Sequence, residues 1–237
     1  MLVPIGFASA RVRLVTAFSR IRTFVFDLPF VFVVAVLAVV TAASVFAVLR
    51  RQASRATIVA AFKYDDVSFA LPASAETALG GPLSAQEIES IKQISRRELD
   101  RAFAGLRMRV TQTGEGFWRV DVLQAFRERG PLPNAGQALP LGPLGGVGRV
   151  GFVILALGAI KHAPAGAPRE IVIEGIGRGI GRAAVHEFAH QILGAVAMDN
   201  ATDKHSYEYG SFDRAPQYYG DLHWSIAWPE LQRKIGR

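Results

Sequence analysis

The longest apolar run of the chain lies near its N-terminus, where Leu28–Leu49 contains no charged residue. A helix of these 22 residues would be about 33 Å long, which matches the hydrocarbon core of a bilayer. An all-round apolar helix of this length is rarely buried in a soluble domain, and the run is long for a cleaved signal peptide. The pattern therefore predicts a transmembrane helix over residues 28–49, preceded by a basic tail over residues 1–27.

The pattern changes to that of a folded domain over residues 57–237. Thr57–Phe62 is a short apolar run that predicts a first strand. Ser84-Ala85-Gln86-Glu87 has the form of a capping box, and apolar residues at near-helical spacing follow it, so a helix is expected to begin there. Leu106–Val110 alternates with arginines and predicts a half-exposed strand, with Phe117–Leu123 as its hairpin partner.

The second half of the domain begins with Gly130–Gly148, which is rich in glycine and proline and predicts a mobile loop. Gly151–Leu157 is a continuous apolar run that predicts a buried strand, and Glu170–Glu174 predicts a more exposed one. Alternating glycines follow at positions 175, 177, 179 and 181. They lack the final glycine of the dinucleotide fingerprint and the Gly-Lys-Ser/Thr of a phosphate loop, so a flexible entry into the next helix is expected.

The net charge of +7 owes much to the flanks of the apolar run. These cations suit anionic headgroups, so membrane lipid is an expected partner. No basic stripe interleaved with aromatic residues occurs further on, so nucleic acid is not an expected partner. Both flanks are basic, and large domains cross membranes largely regardless of charge. We therefore expect a single-pass protein of a bacterial inner membrane, with the domain weakly favoured on the outer, periplasmic side. The chain has no cysteine, so no disulfide framework indicates the compartment.

The residues with the clearest chemistry form the motif His-Glu-x-x-His between His186 and His190, in a stretch that predicts a helix. Imidazoles four residues apart on a helix lie about 40° apart around its axis, so both can reach one metal ion. Glu187 lies beside them, where it can deprotonate a metal-bound water. The motif predicts a zinc hydrolase in which His186 and His190 bind the metal and Glu187 is the general base. The competing interpretation is two ordinary histidines that flank a solvated glutamate.

This motif, after a strand, a capped helix and further strands, resembles the zincin superfamily of zinc peptidases from about Thr57 onward. The resemblance implies an α+β fold with a zincin-like mixed sheet, a capped helix and a His-Glu-x-x-His active-site helix. It also implies Zn²⁺ as the cofactor and a peptide or protein as the substrate. The metzincin form needs Gly three and His six residues after the second histidine. Here those positions are Leu193 and Val196, so that subfamily is excluded.

Two downstream segments, residues 206–211 and 217–222, resemble the C-terminal signature of anthrax-lethal-factor-type gluzincins. That signature is Tyr-Gly/Ala, a short loop, and Glu-x-Phe/Tyr-Ala-Glu on a helix. In the family the first glutamate binds zinc, the second supports it, and the tyrosine donates to the transition-state oxyanion. The resemblance places Tyr209 at the tyrosine position, with one extra residue in the loop. It places Gln217 at the zinc-binding glutamate and Asp221 at the second carboxylate.

Gln217 departs from the family pattern, because a neutral amide is a poor zinc ligand whereas carboxylate oxygens are ordinary ones. The resemblance therefore gives Asp221, expected one turn further along the same helical face, as the third metal ligand. A carboxylate that hydrogen-bonds to a ligand histidine and orients it is also expected, and the candidates are Asp213 and Asp203. The alternatives that stay open for the third ligand are Glu208, Asp199, His205 and Gln217 itself.

The function expected from these residues is membrane-anchored, zinc-dependent hydrolysis of peptide bonds, with Glu187 as the base and Tyr209 as the oxyanion donor. The alternative is a catalytically inactive zincin-fold membrane module with a binding or structural role, for which Gln217 at a ligand position is the main support.

Overall fold

The computed structural model describes residues 32–47, 57–112, 116–126, 135–142, 145–194 and 198–236. The chain divides into two units, residues 1–52 and residues 53–237. In the first unit, residues 32–47 form helix α1, whose side chains are exposed. Within the described ranges, no helix has both the length and the apolarity needed to cross a membrane. The basic tail and both ends of the predicted span at residues 28–49 lie outside these ranges, so the transmembrane helix stays a prediction.

The second unit is an α/β domain built on a five-stranded mixed sheet in the order β2-β1-β3-β5-β4. Strands β1, β2, β3 and β5 are parallel, and β4 pairs antiparallel with β5 at one edge. The strand ranges are β1 Ile58–Asp66, β2 Met108–Thr111, β3 Trp118–Leu123, β4 Gly136–Pro140 and β5 Gly146–Gly151.

The strands predicted at residues 57–62, 106–110 and 117–123 are confirmed, but the predicted hairpin between the last two is wrong. β1 lies between β2 and β3 and is parallel to both. The side chains of Ala60, Ala61 and Phe62 in β1 are all buried. A strand that is apolar on both faces is typical of the interior of a parallel sheet, which explains why β1 separates the other two.

Six helices, α2 to α7, complete the described part of this unit, and α5 is central among them. α5 packs against α3, α4, α6 and α7, and against strands β3, β4 and β5. The helix ranges are α2 Ala73–Leu79, α3 Ala85–Ala102, α4 Phe152–Lys161, α5 Arg169–Leu193, α6 Pro216–Tyr219 and α7 Trp228–Ile235.

The predicted capping box begins α3. The Glu87 carboxylate accepts the backbone N–H of Ser84 at 2.7 Å, and the Ser84 hydroxyl accepts the N–H of Glu87 at 3.3 Å. The same carboxylate accepts two bonds from Arg169, at 2.6 and 3.0 Å. Glu87 thus joins the start of α3 to the start of α5, and hydrogen bonding from Arg169 lowers its pKa to about 2.

Replacing Glu87 with glutamine should therefore destabilise the fold in a pH-dependent way. The folded-state pKa of Glu87, about 2, lies below its ordinary value of 4.5, so its ionised form stabilises the fold at neutral pH. That contribution is lost as the pH falls from about 4.5 toward 2. Urea unfolding of wild type and Glu87→Gln at several pH values measures the difference in unfolding free energy. The difference should be largest near neutrality and shrink on acidification. A pH-independent difference would contradict the ionic role.

Three predictions for the second half of the domain are wrong. Gly151–Leu157 is not a strand, because β5 ends at Gly151 and α4 begins at the next residue. Glu170–Glu174 lies within helix α5. Short apolar runs do not distinguish a buried helix from a buried strand by periodicity alone. α5 buries side chains around much of its circumference, whereas α4 buries one face, formed by Phe152, Leu155, Ala156 and Ala159. Residues 130–148 are not entirely loop, since they contain β4 and the start of β5.

The alternating glycines at positions 175–181 lie inside α5 and do not form a flexible entry to it. Gly177 and Gly181 face α3, where a Cβ at Gly181 would lie 2.5 Å from the carbonyl oxygen of Ser95. The other two glycines face the tyrosine rings of α6. The missing side chains therefore allow α3 and α6 to pack closely on α5.

A buried ion pair fixes α5 one turn before the histidine motif. The guanidinium of Arg182 is almost completely buried and donates to Glu98 of α3 at 2.8 Å. It also donates to the carbonyl of Pro216 at 2.8 Å. Because loss of one partner would leave a buried charge uncompensated, this pair strongly favours one placement of α5 against its neighbours.

Candidate metal centre

The C-terminal part of α5 carries both histidines of the motif on one face, as predicted. The Nε2 atoms of His186 and His190 lie 3.0 Å apart. His186 is buried and His190 is partly buried. Two ring nitrogens this close, on adjacent turns of one helix, can bind a single ion.

A carboxylate from the segment after α5 completes the group. Asp199 Oδ1 lies 3.1 Å from His186 Nε2, and Asp199 Oδ2 lies 3.2 Å from His190 Nε2. Among the residues that the structure describes, His186, His190 and Asp199 are the group of His and acidic side chains close enough to share a metal ion. Asp199 is one of the residues that the sequence left open as the third ligand.

The local backbone explains how Asp199 reaches this position. Gly194 ends α5 with a φ of 84°, in the left-handed region, where glycine meets no steric penalty. Asp199 also has a left-handed φ, of 65°, which aspartate tolerates better than most residues. A Cβ at Gly210 would lie 2.9 Å from Asp199 Oδ1, so this glycine leaves room for the carboxylate.

Two backbone carbonyls orient the candidate ligands. His186 Nδ1 donates to the carbonyl of Tyr207 at 2.7 Å, which places the proton on Nδ1 and leaves the Nε2 lone pair facing the other ligands. The N–H of Asp199 donates to the carbonyl of Glu208 at 3.0 Å. The orienting groups are therefore main-chain atoms of two adjacent residues.

The carboxylates predicted to orient a ligand histidine have other partners. Asp213 pairs with Lys161 at 2.7 Å and with His162 at 2.7 Å. Asp203 pairs with His223 at 3.1 Å. The structure does not bring either of them to His186 or His190.

A cavity of about 250 Å³ opens beside the histidines. Glu187 is buried and its side chain lines this cavity. Strand β4 forms the facing wall, and a Cβ at Gly136 would overlap the Glu187 carboxylate, so only glycine lets the strand lie this close. The described residues that line the cavity are Gly136, Gln137, Ala138, Pro140, His186, Glu187, His190, Asp199, Gly210 and Phe212.

The pKa shifts of His190 and Asp199 favour the deprotonated forms that bind a cation, whereas the pKa shift of His186 favours its protonated form. Burial and the neighbouring His186 lower the pKa of His190. Burial alone would lower the pKa of His186, but hydrogen bonding to Asp199 and the charge of Glu187 raise it above its usual value. The hydrogen bond from His186 lowers the pKa of Asp199. A negative carboxylate thus faces two imidazoles, and a cation could replace the proton that they share.

The structure does not bring Asp221 to the histidines. Its carboxylate is exposed and pairs with Arg101 at 3.4 Å. Gln217 is buried, and its side-chain amide donates to the carbonyl of Gly179 at 3.2 Å. Residues 217 and 221 do not share a helical face, because α6 ends at Tyr219 and the next residue has extended backbone angles.

The remaining predicted residues also have partners outside the triad. The Arg214 guanidinium lies 4.8 Å from the ring centroid of Tyr209, and this tyrosine is absent from the described lining of the cavity, although the adjacent Gly210 is present. His205 Nδ1 interacts with the backbone carbonyl of Asp221 at 3.2 Å. Of the predicted residues, His186, Glu187, His190 and Asp199 come together around the cavity, and Tyr209, His205 and Asp221 do not join them.

Glu208 is completely buried, and its carboxylate accepts hydrogen bonds from the backbone N–H groups of residues 225, 226 and 227. Burial alone would raise the pKa of Glu208, but the Ser206 hydroxyl and these N–H groups hold it below its usual value. The carboxylate therefore stays ionised without a metal, and its oxygens are turned toward the C-terminal segment.

A comparison with protein-family models and with curated proteins found no significant match to this chain.

Proposed function

We propose that this protein is a zinc-dependent peptidase of the zincin type, anchored to a membrane by its predicted N-terminal span. His186, His190 and Asp199 are the proposed metal ligands, and Glu187 is the proposed general base. The observation that carries the proposal is that both motif histidines lie close to the Asp199 carboxylate, beside a cavity that Glu187 also lines.

The donor atoms fit zinc in both type and spacing. Bonds of about 2.0–2.2 Å in a tetrahedral site put neighbouring donor atoms about 3.3 Å apart. The two Nε2 atoms lie 3.0 Å apart, His186 Nε2 lies 3.1 Å from Asp199 Oδ1, and His190 Nε2 lies 3.2 Å from the other oxygen, Oδ2. Two imidazoles and one carboxylate are a ligand set of catalytic zinc sites, which leave a fourth position for water or substrate.

When bound, zinc supplies Lewis acidity that makes a water molecule a stronger acid and polarises the carbonyl of the scissile bond. The Glu187 carboxylate accepts a proton from the attacking water at one of its oxygens. It then gives that proton to the nitrogen of the leaving amine. The hydrogen bond from His186 Nδ1 to Tyr207 keeps the Nε2 lone pair directed at the metal position throughout.

The sheet edge beside the cavity favours a peptide substrate. β4 is an edge strand, and four of its five residues line the cavity. The outer edge of a strand carries backbone N–H and C=O groups that can pair with an extended peptide. A peptide paired there would run past Glu187 and the candidate ligands. The oxyanion role predicted for Tyr209 stays a prediction.

The choice of third ligand is tested by two matched substitutions in the full-length protein. Asp199→Asn should weaken zinc binding because it removes the negative charge at the site. The loss of affinity should be at least the roughly 10- to 100-fold that follows loss of a group hydrogen-bonded to a metal ligand. Asp221→Asn is the control, and it should leave zinc affinity unchanged because its carboxylate pairs with Arg101 at the surface. Competition with a chromogenic chelator measures both affinities. Loss of zinc in Asp221→Asn and not in Asp199→Asn would contradict the proposed ligand set.

A further inference from the structure

The main chain at residues 207 and 208 supports two candidate ligands at once. The carbonyl of Tyr207 accepts from His186 Nδ1 at 2.7 Å, and the carbonyl of Glu208 accepts from the N–H of Asp199 at 3.0 Å. A shift of this dipeptide would therefore rotate the His186 ring and displace the backbone of Asp199 together. The spacing of the three donor atoms thus depends on what fixes residues 207 and 208.

The Glu208 carboxylate helps to fix this dipeptide, together with the hydrogen bond from the N–H of Tyr207 to the carbonyl of His223 at 3.0 Å. Its Oε1 accepts the N–H groups of Ser225, Ile226 and Ala227 at 3.0, 2.8 and 2.6 Å. Its Oε2 accepts the hydroxyl of Ser225 at 3.1 Å and also that of Ser206. Ala227 is the N-cap residue of α7, directly before its first residue. The carboxylate therefore ties the turn that leads into the C-terminal helix to the segment behind the metal ligands.

These contacts also explain why a carboxylate is needed at this position. Three N–H groups and two hydroxyls point at the two oxygens, and an ionised carboxylate accepts at both oxygens and carries no proton of its own. Glutamine would put an NH₂ group in place of one oxygen, and the donors that point at that oxygen would lose their acceptor. The same contacts direct both oxygens away from the two histidines, so Glu208 acts on the site through the backbone.

We propose that Glu208 is a positioning residue of the metal site: its buried carboxylate couples the turn at residues 225–227 to the carbonyls that hold His186 and Asp199, so that the C-terminal segment sets the affinity for the metal. This inference rests on the proposed metal site. It assigns to Glu208 a role in metal binding without direct contact with the metal.

The test compares three variants of the full-length protein, with Zn²⁺ and Co²⁺ as the probes. Glu208→Gln should raise the zinc dissociation constant by about 10- to 100-fold, as loss of other outer-shell partners does. It should also change the visible absorption bands of the Co²⁺-loaded protein, because the ligand geometry changes. Ser225→Ala removes one hydroxyl donor to the carboxylate and keeps the charge of Glu208, so it should raise the zinc dissociation constant by a smaller factor. If Glu208→Gln does not fold, Ser225→Ala alone tests the inference.

Leu79→Ala is the control for general destabilisation. Leu79 is a buried residue of α2, which packs on α4, so its truncation should lower the unfolding free energy and leave zinc affinity and the Co²⁺ bands unchanged. If Glu208→Gln and Ser225→Ala affect zinc affinity no more than Leu79→Ala does, Glu208 is only structural and the inference is overturned. If zinc binding does not depend on His186, the proposed metal site is wrong. That result differs from the one that overturns only the role of Glu208.

Discussion

Glu187→Gln should keep its zinc and its fold while losing about a hundred- to ten-thousand-fold in peptide hydrolysis, the usual effect of removing a general base. The amide is nearly the same size as the carboxylate, so it fits the space that Gly136 leaves beside it. It cannot accept a proton from water. Cleavage of a mixed peptide library, followed by mass spectrometry, measures the activity, and elemental analysis measures the zinc.

The matched control for this variant is Glu174→Gln, in the same helix. Glu174 pairs with Arg178 at 2.5 Å one turn along α5, and its substitution should leave hydrolysis unchanged. Equal activity of Glu187→Gln and wild type would remove Glu187 from the mechanism. A wild-type protein that binds zinc and cleaves no peptide would instead support the inactive membrane module.

His186→Ala and His190→Ala should each abolish stoichiometric zinc binding. Each variant leaves two of the three proposed protein ligands, and loss of a direct ligand should exceed the roughly 10- to 100-fold effect of losing a second-shell partner. Zinc content after dialysis against a weak chelator measures the effect. His162→Ala is the control, since this histidine pairs with Asp213 outside the triad and its removal should leave the zinc content unchanged. Full zinc occupancy in both helix variants would make the motif a coincidence.

The parts of the fold that the sequence predicted are those set by local chemistry. The capping box at Ser84 and Glu87 requires only four consecutive residues, and the structure contains both of its hydrogen bonds. The shared face of His186 and His190 follows from the helical repeat alone. The first strand was predicted from its continuous apolar run, which suits a strand buried on both faces, and the second from its alternation of apolar residues and arginines, which suits a half-buried strand.

The elements that the sequence did not predict depend on tertiary packing. Residues 170–174 have an apolar pattern that fits either a strand or a buried helix, and the packing of α5 against its neighbours selects the helix. β4 has glycine, glutamine, alanine, leucine and proline, with little local preference for a strand. It forms because β5 pairs with it along its length. The alternating glycines in α5 predicted a flexible segment, but they lie within a helix and allow α3 and α6 to pack closely on it. This effect also depends on tertiary packing.

The third ligand could not be derived by carrying over a helical register. Asp221 was expected one turn after Gln217 on a helix, but α6 has four residues and ends at Tyr219. Asp199 lies nine residues after His190 in the sequence. No helical periodicity relates them, because α5 ends at Leu193 and Asp199 has a left-handed φ of 65°. Only the folded path of the chain brings this carboxylate to the histidines.

Anomalous diffraction at the zinc absorption edge, from crystals of the zinc-loaded full-length protein, would locate the metal directly. The proposed ligand set predicts one strong peak within bonding distance of His186 Nε2, His190 Nε2 and the carboxylate of Asp199. A peak bound to the Glu208 or Asp221 carboxylate in place of Asp199, or no peak at the two histidines, would contradict it.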